Sequence, residues 1–267
     1  MRIPRVREMW GIIPAAGRGS RIQPLAFSKE LLPVGSRIDG GNERPRAVSE
    51  YLVDRMILGG ADKICFVIAP GKSDILEYYG ASYCDAAIAY VVQPKPAGLC
   101  DAIFRVAPFV AEDEPLIVGL PDTVWLPECA LAALPDRGLS FLLFPVREPQ
   151  YFDAVVLDPE ENVLEIQVKQ PDARSHWIWG AFKMTGGILR ELEALWHARE
   201  HQDEYVGTLV NAWLADCGRA RGVRAGTSYV DVGTLHGYRA AMALLQSRTA
   251  DGGTPAASGP EARAALS

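Results

Sequence analysis

The sequence predicts an α/β fold, a mixed and mainly parallel sheet flanked by helices. Two observations predict it. Short β-rich apolar runs alternate with helical patterns through the first half of the chain, and such β-α-β alternation builds parallel strands with helices on both faces. The first apolar run, Trp10, Ile12 and Ile13, stops at Pro14 and passes into a turn of small residues. Ligands bind beyond the carboxyl ends of strands in sheets of this kind.

The elements follow in order. Runs at 64–69, 87–92, 116–120 and 139–146 read as buried strands. Between the first strand and these, Val48, Tyr51, Leu52 and Met56 recur at helical spacing, so 45–58 reads as a helix. Pro45 suits its first turn, and Gly59 and Gly60 end it. Shorter helices are expected at 72–79, 98–107 and 127–134. The second half changes character. Strands at 154–157, 162–169 and 177–184 are joined by short turns; helices at 187–199 and 205–215, a strand at 223–230 and a helix at 235–246 follow. One domain over 8–247 is expected. Residues 248–267, rich in Ala, Gly, Ser and Pro without apolar periodicity, read as a disordered tail.

Bulk properties exclude several classes. The 267 residues suffice for a core of useful size, and 49% hydrophobic with 22% charged residues is ordinary for a soluble domain. A net charge of −6 argues against a nucleic-acid partner, which needs a basic face. No apolar run approaches the roughly 18 residues of a membrane span. The first ten residues, MRIPRVREMW, lack a signal-peptide core. Five scattered cysteines, Cys65, Cys84, Cys100, Cys129 and Cys217, read as reduced thiols in a cytoplasmic protein.

The stretch 11–35 carries the chemistry. Ala15, Ala16, Gly17, Gly19 and Ser20 form a turn whose backbone N–H groups can approach phosphate oxygens, because no large side chain blocks them. Arg21 and Lys29 then bring fixed positive charge, which stabilises charge growing at a reacting phosphorus. No Walker A loop occurs, and Gly17 and Gly19 lack the third glycine of the dinucleotide fingerprint.

With its following residues this stretch resembles the signature of the sugar-1-phosphate nucleotidyltransferase family. The chain reads GRGSRIQPL from Gly17 and SKELLP from Ser28. The resemblance recurs in order at Gln93–Pro94, at Gly98 and Leu99, at GLPDT from Gly119, at Val168–Lys169, at Gly180 and at DVGT from Asp231. It therefore covers roughly residues 10–245. It implies a Rossmann-like fold of the nucleotide-diphospho-sugar transferase type. It also implies a magnesium-dependent reaction. A sugar-1-phosphate oxygen attacks the α-phosphorus of a nucleoside triphosphate, UTP or dTTP being favoured, to give an NDP-sugar and pyrophosphate.

The resemblance also implies roles. The small residues from Ala15 to Ser20 would wrap the triphosphate, Arg21 would pair with the β and γ phosphates, and Lys29 would offset charge at the reacting phosphorus. Asp122 and Asp231, each after a strand, would hold Mg2+ with phosphate oxygens and water. Gln93, Gly98 and Leu99 would hold the nucleobase, the glutamine amide offering donor and acceptor together. Lys169 would grip the sugar phosphate, and Gly180 would leave room for the sugar ring. A homo-oligomer is expected on the same ground.

Departures cluster on the sugar side. Thr123 stands where asparagine is common, and Val168 where glutamate is usual. A glycine expected near residue 152 is replaced, in YFDAVV, by Asp153 or Ala154. Because a pocket built for a hydroxyl discriminates strongly, these departures point to a sugar selection different from the family's glucose 1-phosphate pattern. Segment 35–46 is longer than the family's link and reads as a mobile loop at the cleft mouth. Two other readings compete, a cytidylyltransferase acting on a non-sugar phosphate and a non-catalytic nucleotide-sugar-binding protein. His197 and His201, four apart on an expected helix, read as a solvated helix face rather than metal ligands. Trp177 and Trp179 read as aromatic burial, with one a lesser candidate for the sugar wall.

Overall fold

A computed structural model describes residues 8–250, with side chains through 247; the expected tail otherwise lies outside the described residues. The chain opens with β1 (Trp10–Pro14), an antiparallel hairpin β2 (Pro33–Asp39) and β3 (Asn42–Ala47), and α1 (Val48–Leu58). Then come β4 (Lys63–Ile68), α2 (Ser73–Tyr79), β5 (Ser82–Tyr83), β6 (Ala86–Val92) and α3 (Gly98–Phe104). The middle holds β7 (Pro115–Gly119), β8 (Thr123–Leu126), β9 (Leu139–Pro145), β10 (Asp153–Leu157), β11 (Val163–Val168) and β12 (Trp177–Thr185). The chain closes with α4 (Gly186–Ala198), α5 (Val206–Ala215), β13 (Ala220–Val223), β14 (Ser228–Asp231) and α6 (Leu235–Ala250).

The expected mixed sheet is present. Its centre, β7-β1-β4-β6, is parallel throughout. β12 runs antiparallel beside β7 and carries β9 and β10 in turn, with β11 outermost and β13 parallel on β9. Apolar layers cover both faces. One packs Phe104, Phe141, Phe182, Leu189 and Trp196 beneath α3, α4 and α5. The other packs Ile13, Leu52, Met56, Phe66 and Trp125 beneath α1. Strands buried on both sides read as the continuous apolar runs seen in the sequence.

Four expectations are corrected. Residues 35–46 are not a loop but most of the β2–β3 hairpin, turning at Gly40 and Gly41, both at positive φ. The hairpin is pinned from below by the buried Glu50 of α1, which lies 3.5 Å from Arg37 Nε and accepts from the Tyr78 hydroxyl. The helix expected at 45–58 therefore starts at Val48, because Pro45–Ala47 finishes β3. Residues 223–230 form two strands in different sheets. Gly226 makes the break, donating its N–H to Leu143 at 3.0 Å where an added Cβ would strike Phe144 at 2.1 Å. The helix expected at 127–134 is only a 3-10 turn at Ala130–Ala133.

Candidate active site

β1, β4 and β6 end at the same edge of the parallel sheet, where Ala15 N–H donates to Val67 and Gln93 N–H to Ile68. The small-residue turn follows β1 there. Among the described residues, no protein acceptor takes the backbone N–H groups of residues 16–21. Gly19 sits at φ +63°, and an added Cβ would lie 2.6 Å from Lys29 Cδ. The glycine thus serves both the turn and the close approach of the lysine stem.

The two aspartates meet through a separate small ladder. β8 and β14 pair antiparallel with Thr123 opposite Asp231, and Val232 N–H donates to the Asp122 carbonyl at 2.7 Å. Buried Arg55 of α1 fixes this ladder, donating to the Tyr51 and Trp125 carbonyls at 2.6 Å each. Each carboxylate faces one of the expected cations. Lys29 Nζ lies 2.5 Å from Asp122 Oδ2, and Arg21 Nη2 lies 3.5 Å from Asp231 Oδ2. All but Lys29 converge on Gly233. An added Cβ there would lie 2.8 Å from Asp231 Oδ1, 3.1 Å from Arg21 Nη2 and 3.3 Å from Asp122 Oδ2.

Electrostatics follow from this crowding. Burial and then the neighbouring Asp122 charge push the Asp231 carboxyl above the usual range. Burial works to lower Lys29, but the Asp122 carboxylate outweighs it and the ammonium is held above its ordinary value. Two carboxylates about one point, hard oxygen donors with one raised by the other, fit a divalent cation completed by phosphate oxygens and water. Among the described residues no group of three or more His, Cys, Asp or Glu side chains could hold a metal. His197 Nδ1 and His201 Nε2 are hydrogen-bonded to each other at 2.6 Å, and His201 stacks on Trp196.

A cleft of about 1080 Å³ opens beside the charged group. Arg21, Asp231, Tyr229, Phe152 and Lys169 line it. Lys169, at φ +46°, donates its N–H to the Phe152 carbonyl at 2.9 Å and places Nζ 4.3 Å over the Tyr205 ring. Two expected roles change in form. Gln93 gives its amide N–H groups to the Gly98 carbonyl and the Asp101 carboxylate, so toward a base it offers an acceptor rather than a donor and acceptor together. At Gly180 the space a side chain would fill is taken by Phe144 and Tyr229, at 2.6 and 2.7 Å, so the glycine admits those rings and not a sugar. Gly98, at φ +87°, and Leu99 begin α3 beside Gln93.

Sequence reasoning missed the brace beneath the turn. Lys72 Nζ donates to the Ala15 carbonyl at 2.6 Å and to both oxygens of buried Glu30 at 2.8 Å. The Gly71–Lys72 pair just past a strand end was its signal. Gly233 was missed as well, although it lies within DVGT.

A parallel sheet whose carboxyl edge carries an open N–H turn, two cations and two converging carboxylates defines an enzyme that handles nucleotide phosphates. The chain belongs to the nucleotidyl transferase family, whose family model matches residues 10–248. It is 25% identical over 254 residues to a glucose-1-phosphate thymidylyltransferase of Neisseria gonorrhoeae, covering 90% of this chain and 83% of that one. It is 30% identical over 112 residues to UTP–glucose-1-phosphate uridylyltransferase AglF of Haloferax volcanii, covering 42% of this chain and 43% of that one. The fold matches that of a UTP-bound UGPase from Acinetobacter baumannii with a TM-score of 0.71 at 20% identity, over 89% of this chain and 93% of that one. Among the described residues no helix is long and apolar enough to cross a membrane.

Proposed function

We propose that the chain transfers a nucleotidyl group from UTP or dTTP to a sugar 1-phosphate, releasing pyrophosphate. The convergence of Arg21, Asp122 and Asp231 on Gly233, with Lys29 on Asp122, carries this reading. The free N–H groups of the turn suit the triphosphate. Arg21, 65% exposed at its side chain, is free to swing onto the leaving pyrophosphate, for which a guanidinium fork is well matched. Lys29 offsets charge at the α-phosphorus. Lys169 receives the acceptor's phosphate and aims its oxygen in line with the leaving group. Asp122 and Asp231 would hold Mg2+, which supplies neutralisation of the phosphate charges when bound. Gln93, Gly98 and Leu99 lie farther along the sheet edge, where the base would sit.

Pyrophosphate release, screened over four triphosphates and a panel of sugar 1-phosphates, tests the reading. Release with UTP or dTTP supports it. Nucleotide-sugar binding without release from any pair would favour the binding protein instead. We extend the proposal to a cytoplasmic homo-oligomer on the family resemblance; light scattering of the purified chain tests the oligomer.

A further inference from the structure

Lys72 closes the loop between β4 and α2, next to the small-residue turn after β1, and its ammonium is fully occupied inside the protein. The side chain is 12% exposed. An ammonium carries three N–H donors. Three acceptors surround this one, the Ala15 carbonyl at 2.6 Å and the two oxygens of Glu30 at 2.8 Å each. No donor is left for a phosphate, so Lys72 acts on the turn through these partners and not by touching a ligand.

The ion pair alone has a structural explanation. Glu30 is 1% exposed, burial pushes its carboxyl up, and the Lys72 charge draws it partly back. A buried carboxylate needs such a counter-ion. Neutralising Glu30 does not require Lys72 to reach the Ala15 carbonyl, and that bond has a consequence for the peptide it holds. Ala15 donates its own N–H to Val67 at 2.8 Å, so the peptide before it is fixed by β4. Lys72 fixes the peptide after it. The Ala15–Ala16 bond is trans, the cis bonds among the described residues being those before Pro24 and Pro127. In a planar trans peptide the C=O and the next N–H point in opposite directions. With the carbonyl drawn toward Lys72, the Ala16 N–H points away from the brace. Ala16 is only 5% exposed, and its N–H meets no protein acceptor among the described residues. Buried backbone donors are nearly always paired, so this one calls for an acceptor on a ligand. The cation on the carbonyl also polarises the amide and makes its N–H a stronger donor.

We propose that Lys72 is a positioning residue for the nucleotide, turning the Ala16 N–H toward an oxygen of the bound nucleoside triphosphate and strengthening it as a donor. This rests on the nucleotidyl-transfer reading above. Lys29 is held separately, because Ser28 gives both its N–H and its hydroxyl to Asp74 at 2.6 Å. Loss of Lys72 therefore weakens nucleotide binding and leaves in place the charge that acts on the chemical step.

The test separates this role from mere neutralisation of Glu30. Lys72→Met should lower Tm, because it leaves the buried Glu30 carboxylate unpaired. It should also weaken binding of UTP or dTTP, whichever wild type holds tighter, by about tenfold in isothermal titration calorimetry, the scale of one hydrogen bond. Lys72→Met/Glu30→Met removes both charges and should bring Tm back toward wild type, as apolar replacement of a buried ion pair often does. Its nucleotide affinity should stay about tenfold down, and in pyrophosphate release KM for the triphosphate should rise with kcat within about threefold of wild type. Glu30→Gln keeps the bond from Lys72 to Ala15 and should bind nucleotide within about twofold of wild type, whatever it loses in Tm; it decides the matter if the double variant folds poorly. Wild-type affinity in the double variant, or a loss in Glu30→Gln equal to that in Lys72→Met, overturns the role of Lys72 while nucleotidyl transfer stands. If wild type binds neither UTP nor dTTP, the nucleotidyl-transfer reading itself falls, and this inference with it.

Discussion

Lys29 Nζ lies 2.5 Å from Asp122 Oδ2, joining the loop after β1 to the turn after β7 in one charged pair. The contact occupies one oxygen of a carboxylate that is also expected to serve a cation. It also fixes the lysine stem, which lies against Gly19. Removing the ammonium should therefore leave binding of triphosphate largely in place and slow the chemical step. Lys29→Ala should lower kcat about 100- to 1000-fold, as deletion of a preorganised charge donor does elsewhere. Steady-state pyrophosphate release measures it; a loss confined to KM would assign Lys29 to uniform binding instead.

Asp231 opposes folding for the same reason it serves chemistry. Its carboxyl is raised in the fold by burial and by Asp122, so the native state holds its proton to higher pH than the unfolded chain. Stability must then fall as pH rises through the window above the ordinary aspartate value. Asp231→Asn should raise Tm at pH 7 in metal-free buffer, and the difference should vanish as pH drops below the ordinary aspartate range. The same variant should lose nearly all turnover. A lower Tm at pH 7 would remove the electrostatic explanation.

Gly19→Ala tests the turn. Its φ of +63° is costly for a residue with a Cβ, and that Cβ would press on Lys29. The backbone term alone is about 1–2 kcal/mol, or roughly 2–8 °C in Tm for a domain of this size. Turnover should fall further than stability predicts, because Lys29 is displaced. Thermal unfolding and pyrophosphate release on one preparation separate the two effects.

Magnesium should act on the folded chain directly. Added Mg2+ should raise the wild-type Tm and leave Asp122→Asn/Asp231→Asn unmoved, since only the paired carboxylates bind it to the native state. EDTA should abolish pyrophosphate release, and excess magnesium should restore it. An equal Tm rise in the double variant would place the metal elsewhere.

Much of the fold was legible because buried strands and helices carry their periods in the chain. β4, β6, β7 and β9 fall within one or two residues of expectation. The hairpin did not show, because its strands are polar and are held by a tertiary contact, Arg37 on Glu50, that no local pattern announces. Likewise the run at 223–230 looks continuous in sequence, yet Gly226 turns it from the large sheet to the small ladder. At the site, Arg21, Lys29, Asp122 and Asp231 were readable as a set and are brought together. Gly180 was misread because the chain gives no hint that Phe144 and Tyr229 need its space. The sequence departures at 153 and 168 looked separate; only the β10–β11 register shows that Asp153 and Val168 face each other.

The small β8–β14 ladder has a consequence for the growing chain. Asp122 emerges about midway through synthesis, but its companion closes β14, the last strand among the described residues. Until translation passes Asp231, the polypeptide can collapse its first strands and helices yet holds only half of the carboxylate pair. A ribosome-bound fragment ending before β14 therefore lacks the second carboxylate, and the pair is complete only when the closing segment folds onto β8.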